Sequence, residues 1–180
     1  MKEKDIEKTL VIIKPDGIEK RLVGKVIARV EDFGLTIKRI QMRKLSREEC
    51  RKLYPHTRQN LPAIYASVEK YMTENSSIIF MAEGKDAIEK VRTIRGPTNL
   101  LQAPKGTIRR DFITDEERQL FRQGKNVKNV MHASDDKEEA KFEIELFFGK
   151  RVKLNESRSK LDFFYIQSWK ARNYFVSMEI

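Results

Sequence analysis

Cysteine is almost missing from the chain. The single Cys50 in 180 residues excludes an internal disulfide framework and a cysteine-rich zinc site, and it suits a reducing cytoplasm. No apolar run approaches the roughly 18 residues a membrane span takes, and the opening MKEKDIEK holds no apolar signal core. Neither membrane insertion nor secretion is therefore expected. Negative charge is in deficit, with 27 Asp plus Glu against 37 Lys plus Arg, for a formal charge of +10. That excess favours polyanionic partners without choosing among nucleotides, nucleic acid and acidic membranes. Also absent are GxxxxGK[ST], GxGxxG, HRD and DFG, which removes the P-loop and protein-kinase solutions to phosphate binding.

What is present folds as one domain with appendages. Charged residues make up 36% and hydrophobic residues 39%, too apolar for a disordered chain. Leu10 to Ile13 are four aliphatics in a row before Pro15, the signature of a strand buried on both faces, with Asp16-Gly17 as a turn behind it. Leu22, Val23, Val26, Ile27, Val30 and Phe33 then recur at helical spacing up to Gly34. LTIKRIQMRKL alternates but slips phase between Ile37 and Ile40, which predicts a bulged second strand. Ser46 with Glu49 reads as a capping box for a short helix through Tyr54. AIYASVEKYM continues as helix and SSIIFMAEG as a third strand. Ala87, Ile88, Val91 and Ile94 share one helical stripe ending at Gly96. The passage from Pro97 to Lys128 reads as long and irregular. A last short strand is expected at Asn129 to His132, and a helix capped by Ser134 carries Ala140, Ile144, Phe147 and Phe148. Alternating strands and helices predict a sheet layer covered by helices.

Charges on apolar surfaces are the informative residues, because an unpaired buried charge is costly. Lys14 ends an all-aliphatic strand, so its ammonium either escapes to solvent or meets an anion. Glu143 lies three residues after Ala140 and four before Phe147, inside the buried face, and there a carboxylate wants a donor. His132 stands close enough in sequence to supply a ring N–H, which would fix its tautomer and leave the other nitrogen as a nucleophile. The plainer alternative is a core histidine satisfied by a carboxylate. RTIRGPTNL and GTIRRDF place Arg92, Thr98 and Arg109 in loops where guanidinium forks and hydroxyls can grip phosphate oxygens. For the arginines, a solvated basic surface remains the competing reading. His56, beside Pro55 and without a carboxylate at helical spacing, reads as a surface-loop residue.

Taken in order, TLVIIKPDG, RGPTNL, GTIRRDF, NVMHASDD and EIELFF resemble the nucleoside diphosphate kinase family over residues 8 to 149. The resemblance implies ping-pong transfer of a nucleoside triphosphate's terminal phosphate to a nucleoside diphosphate through phosphohistidine. His132 matches the nucleophile, attacking through Nδ1, and Glu143 the glutamate on the other ring nitrogen. Lys14, Arg92, Thr98, Arg109 and Asn129 match positions that hold phosphates and ribose. Tyr54 matches a tyrosine beside the phosphate site, and Ser134 a serine that orders the pocket. Counting back from Tyr71 puts Ile64, with Tyr65 adjacent, where the family usually stacks the base on a phenylalanine. Mg²⁺ is implied on the nucleotide phosphates rather than in a protein cage. The implied fold is α/β in the α+β sandwich sense, ferredoxin-like, with a four-stranded antiparallel sheet covered by helices. Assembly as a hexamer or tetramer is implied too.

The expected organisation is a catalytic domain over 1–150, interrupted by an insert around 113–127, and a basic, aromatic extension over 151–180. The aromatics of that extension are expected to pack on the body or on a neighbouring subunit. A catalytically weak nucleotide-responsive or nucleic-acid-binding module on the same fold is the competing function, resting on the +10 charge, the altered base clamp and the basic tail.

Overall fold

The four aliphatics of the first strand occupy its centre. In the computed structural model, which describes residues 6–125 and 128–149, β1 runs Ile6–Ile13 and every residue from Leu10 to Ile13 is fully buried. The other strands are β2 (Thr36–Arg43), β3 (Ser77–Lys85) and β4 (Met131–Ala133), in the spatial order β2-β3-β1-β4 with every pairing antiparallel. This is the four-stranded antiparallel sheet expected, and the phase slip of β2 is a register shift between Ile37 and Arg39.

Helices among the described residues are α1 (Pro15–Glu19), α2 (Val23–Asp32), α3 (Arg47–Leu53), α4 (Pro55–Asn60), α5 (Pro62–Glu74), α6 (Ala87–Arg95), α7 (Ile108–Asp111), α8 (Asp115–Arg122) and α9 (Lys137–Phe148). Side chains alternate across a strand. Val11 and Ile13 of β1 therefore join Phe80 and Ala82 of β3, Met131 and Ala133 of β4, Val26 and Val30 of α2, and Val91 and Ile94 of α6 in one core. His132, paired with Ile12, points to the opposite face. That face meets α9, whose Ala140, Glu143, Ile144 and Phe147 are buried. One residue of phase in β4 thus decides that the imidazole meets Glu143 instead of the Val91 core.

The structure corrects three local expectations. Asp16-Gly17 lies inside α1 rather than in a bare turn. The passage from Pro97 onward is not irregular throughout: it holds a 3₁₀ turn at Leu100–Gln102, α7, and α8 inside the insert. Thr114 and Glu117 form a reciprocal capping box for α8, so this charged stretch has its own helix start signal. β4 starts at Met131, two residues later than expected, because Val130 takes a positive φ that no strand accommodates. The expectation for 151–180 lies outside the described residues.

Candidate functional site

The site is built where β1 ends, where β4 begins and along α9. Lys14 leaves β1 as the residue before α1, and its backbone N–H donates to the Val130 carbonyl at 2.8 Å. Gly17 is required behind it: a Cβ there would stand 2.6 Å from Ile13 Cγ2, closer than packed atoms tolerate. Asp16 is buried and accepts the Val130 N–H at 2.8 Å and the Tyr71 hydroxyl at 3.2 Å. Between them these groups hold Val130 at φ +66, with the Met131 N–H reaching the Asn129 carbonyl at 2.8 Å. That is a γ-turn of the rarer positive-φ form, uncommon and strained for a β-branched residue. Strain of this kind collects where a functional side chain must be aimed, and His132 is two residues on.

His132 is the centre of the arrangement. Its Nε2 lies 2.7 Å from Glu143 Oε1, and the Ser134 hydroxyl donates to Glu143 Oε2 at 2.6 Å. A buried carboxylate in contact with Nε2 places the ring proton there. Nδ1 has no protein partner among the described residues. The Tyr54 ring meets the imidazole edge-on, centroids 5.9 Å apart, and the Lys14 ammonium sits 5.8 Å from the Tyr54 centroid. Asn129 Oδ1 accepts from Lys14 Nζ at 2.8 Å.

Arg109 enters from α7, not from a loop as expected, and it is only 4% exposed. Its Nη1 donates to the Gly96 carbonyl at 3.1 Å and to Thr98 Oγ1 at 3.4 Å, and Nη2 to the Met131 carbonyl at 3.4 Å. Gly96, at φ +80, makes room for Thr107, since a Cβ on it would come within 2.8 Å of Thr107 Oγ1. Arg92 lies on the exposed side of α6, its Nε 3.3 Å from Asp135.

Cations crowded out of water are the electrostatic signature. Desolvation, then the charge of Arg109, pushes Lys14 down to about 8; Arg95 adds to this and Asp16 opposes it. Desolvation, then Arg95, lowers Arg109 to about 10, which leaves it charged at neutral pH. Burial, above all, raises the Tyr54 phenol well beyond its ordinary value. The Tyr54 hydroxyl and Arg109 Nε are buried with no partner among the described residues. Unmet donors beside crowded positive charges are what an anion of several oxygens would satisfy.

The structure therefore brings together His132, Glu143, Ser134, Tyr54, Lys14 and Asn129, with Thr98 tied in through Arg109. Ser134 does not cap α9: Asp136 does, accepting the Glu139 N–H at 2.8 Å. Ile64 is half-buried on α5, and its neighbour Tyr65 turns inward to donate to Glu69. His56 is exposed, as expected, although it sits on α4. Sequence reasoning missed Asp16, Arg95 and Asp135. Arg95 carried a signal, because it falls four residues after Val91 on the buried stripe of α6, the criterion that singled out Glu143.

Comparison with known proteins gives these residues a context. A model of the nucleoside diphosphate kinase family matches residues 7–152. The nucleoside diphosphate kinase of Desulforapulum autotrophicum is 40% identical over 143 residues, 79% of this chain and 95% of that protein. That of Archaeoglobus fulgidus is 37% identical over 160 residues, 89% of this chain and 98% of that protein. Among solved structures, the Borrelia burgdorferi nucleoside-diphosphate kinase, a transition-state mimic with bound vanadate and ADP, matches with a TM-score of 0.74 at 31% identity. It covers 87% of this chain, which covers 95% of it.

Proposed function

The chain belongs to the nucleoside diphosphate kinase family, and from that premise we propose that His132 carries the phosphoryl group between nucleotides. The observation that carries the assignment is the imidazole fixed through Nε2 on Glu143, with Nδ1 unpartnered beside Lys14 and Tyr54. In the first half-reaction the Nδ1 lone pair attacks the terminal phosphorus. The bond from that phosphorus to the bridging oxygen breaks, and nucleoside diphosphate leaves with the electron pair. In the second, a terminal phosphate oxygen of another nucleoside diphosphate attacks, and the P–N bond breaks back onto Nδ1. Glu143 holds the proton on Nε2, so the attacking nitrogen is neutral.

Lys14, Arg92 and Arg109 grip phosphate oxygens, Tyr54 and Thr98 supply hydroxyls, and Asn129 orders Lys14 and reaches the ribose. Ile64 stands on the base side. Bound vanadate and ADP in the Borrelia relative support this reading. Cationic and neutral donors of this kind suit phosphate rather than a metal, and no cluster of three His, Cys, Asp or Glu side chains gathers among the described residues. The site accordingly fits Mg²⁺ carried in on the nucleotide, where the ion neutralises phosphate charge. The edge strand β2 leaves Ile40 54% and Met42 61% exposed, which supports assembly with other copies as a hexamer or tetramer, testable by mass measurement in solution. No helix among the described residues is long and apolar enough to cross a membrane, and a cytoplasmic location agrees with this. The nucleic-acid alternative rests chiefly on 151–180, outside the described residues.

The test is direct. Incubation with terminally labelled ATP should give an acid-labile, base-stable phosphoprotein, and His132→Ala should abolish both labelling and turnover. A variant that still labelled and turned over would overturn the assignment.

A further inference from the structure

Arg95 is 7% exposed on the inner stripe of α6. A guanidinium in that position is costly unless its donors are met, and its two terminal nitrogens are, while Nε is buried without a partner among the described residues. Its Nη1 donates to the Ala133 carbonyl at 2.7 Å and its Nη2 to Asp135 Oδ1 at 2.7 Å. The same Oδ1 forms an ion pair with Arg92, whose Nε lies 3.3 Å away. Asp135 is therefore shared by two arginines, one buried and one 52% exposed at its side chain. Desolvation works to raise its carboxyl, but the hydrogen bond from Arg95, with the charges of Arg95 and Arg92, holds it below the usual range.

The two arginines do not hold Asp135 equally. Arg95 has the short bond; Arg92 touches the carboxylate by Nε at the longer distance. The terminal nitrogens of Arg92 have no protein partner among the described residues. Were Arg95 absent, Asp135 would be left with Arg92 as its arginine partner, and turning to it would close a bidentate fork, the pairing carboxylates prefer with arginine. That fork would consume the donors a phosphate needs.

We propose that Arg95 is a positioning residue that keeps Arg92 available to nucleotide phosphates by retaining the Asp135 carboxylate on itself. The inference rests on the assignment of Arg92 to the phosphate grip. Through its bond to the Ala133 carbonyl, the same guanidinium fastens the strand that carries His132. Nucleophile and clamp then share one buried anchor, and the spacing between them is set by a single side chain.

The experiment uses the full chain and measures the dissociation constant of Mg-ADP by titration calorimetry. Arg95→Met should weaken ADP about tenfold. Adding Asp135→Asn to Arg95→Met should restore most of that affinity, because the competing carboxylate is gone. In an Arg92→Ala background, Arg95→Met should add little. A purely structural role predicts the opposite pattern, with Asp135→Asn leaving the loss uncorrected or deepening it, and that result overturns the proposal. So does near-normal ADP affinity in Arg95→Met. If Arg92→Ala itself binds ADP normally, it is the assignment of Arg92 that fails, and the two failures are separable. Should Arg95→Met fold poorly, Arg95→Lys keeps the charge but loses the fork. It should show a smaller loss, again relieved by Asp135→Asn; no loss, or no relief, counts against the proposal.

Discussion

Ser134 donates its hydroxyl proton to Glu143 Oε2 at 2.6 Å while Oε1 of the same carboxylate faces His132 at 2.7 Å. The serine oxygen also accepts the Leu10 N–H at 3.3 Å, so β1 steadies the carboxylate through one intermediary. Glu143 is 4% exposed and Ser134 fully buried, where such bonds are strong and their loss is costly. The orientation of the imidazole is thereby referred to the rigid centre of the sheet.

Replacement Glu143→Gln keeps the shape but leaves a neutral acceptor for the Nε2 proton. Phosphohistidine formation, followed by rapid quench, should slow on the order of tenfold. The dissociation constant of ADP should change less than about twofold, since Glu143 does not touch the phosphate grip. A large affinity loss at a normal rate would contradict the role given to Glu143.

Lys14, lowered to about 8 chiefly by desolvation, gives the site a pH signature. A bound phosphate restores the charge, so ADP affinity should be greatest below about pH 8 and fall as pH rises through it, with proton uptake on alkaline binding. For the empty protein the sign is opposite: the unfolded chain binds more protons between about 8 and 10.5, so this group's contribution to stability rises with pH across that window. Calorimetric titration in buffers of differing ionisation enthalpy measures the proton uptake, and Lys14→Met should remove it. A flat affinity profile in the unsubstituted protein would count against the role of Lys14.

The fold was legible wherever burial leaves a period in the chain, as in β1, α6 and α9. Glu143 could be read for the same reason, as a charge breaking an apolar stripe, and Arg95 broke its stripe in the same way. Asp16 left no such mark, because the N–H it satisfies belongs to Val130, far along the chain. Nor does a β-branched residue announce a positive φ, so the start of β4 could not be placed from alternation. Ser134 and Asp136 both suit a helix cap in the run Ser-Asp-Asp. Tertiary contact settles the competition, since Glu143 takes the serine hydroxyl.

Asp16→Ala tests whether the turn at Val130 is held from outside. The substitution leaves a buried N–H without an acceptor, which costs about 1–3 kcal/mol, and it releases a residue kept at φ +66. Urea denaturation should show a loss of that size, together with slower phosphohistidine formation as the segment carrying His132 relaxes. A loss below about 0.5 kcal/mol would mean the turn holds itself, as an ordinary surface site would.

Glu117 joins α8 to the body of the protein. Its carboxylate receives Lys20 Nζ at 2.7 Å on both oxygens, and Oε2 also accepts the Thr114 N–H at 2.9 Å in the capping box. Lys20 in turn donates to the Phe112 carbonyl at 3.2 Å, so one ammonium bridges the end of α1 to the segment that follows Arg109. Phe121 of α8 packs partly buried against the main core, which gives the helix a second attachment. Glu117→Ala removes the ion pair and half the cap but leaves Phe121. The cap is worth about 1 kcal/mol and the half-screened ion pair up to about 1 kcal/mol. Amides of α8 should therefore exchange with solvent roughly tenfold faster or more, while those of β1 and β3 keep their protection. Equal acceleration in the sheet would show that α8 is part of the cooperative core rather than a helix docked on it.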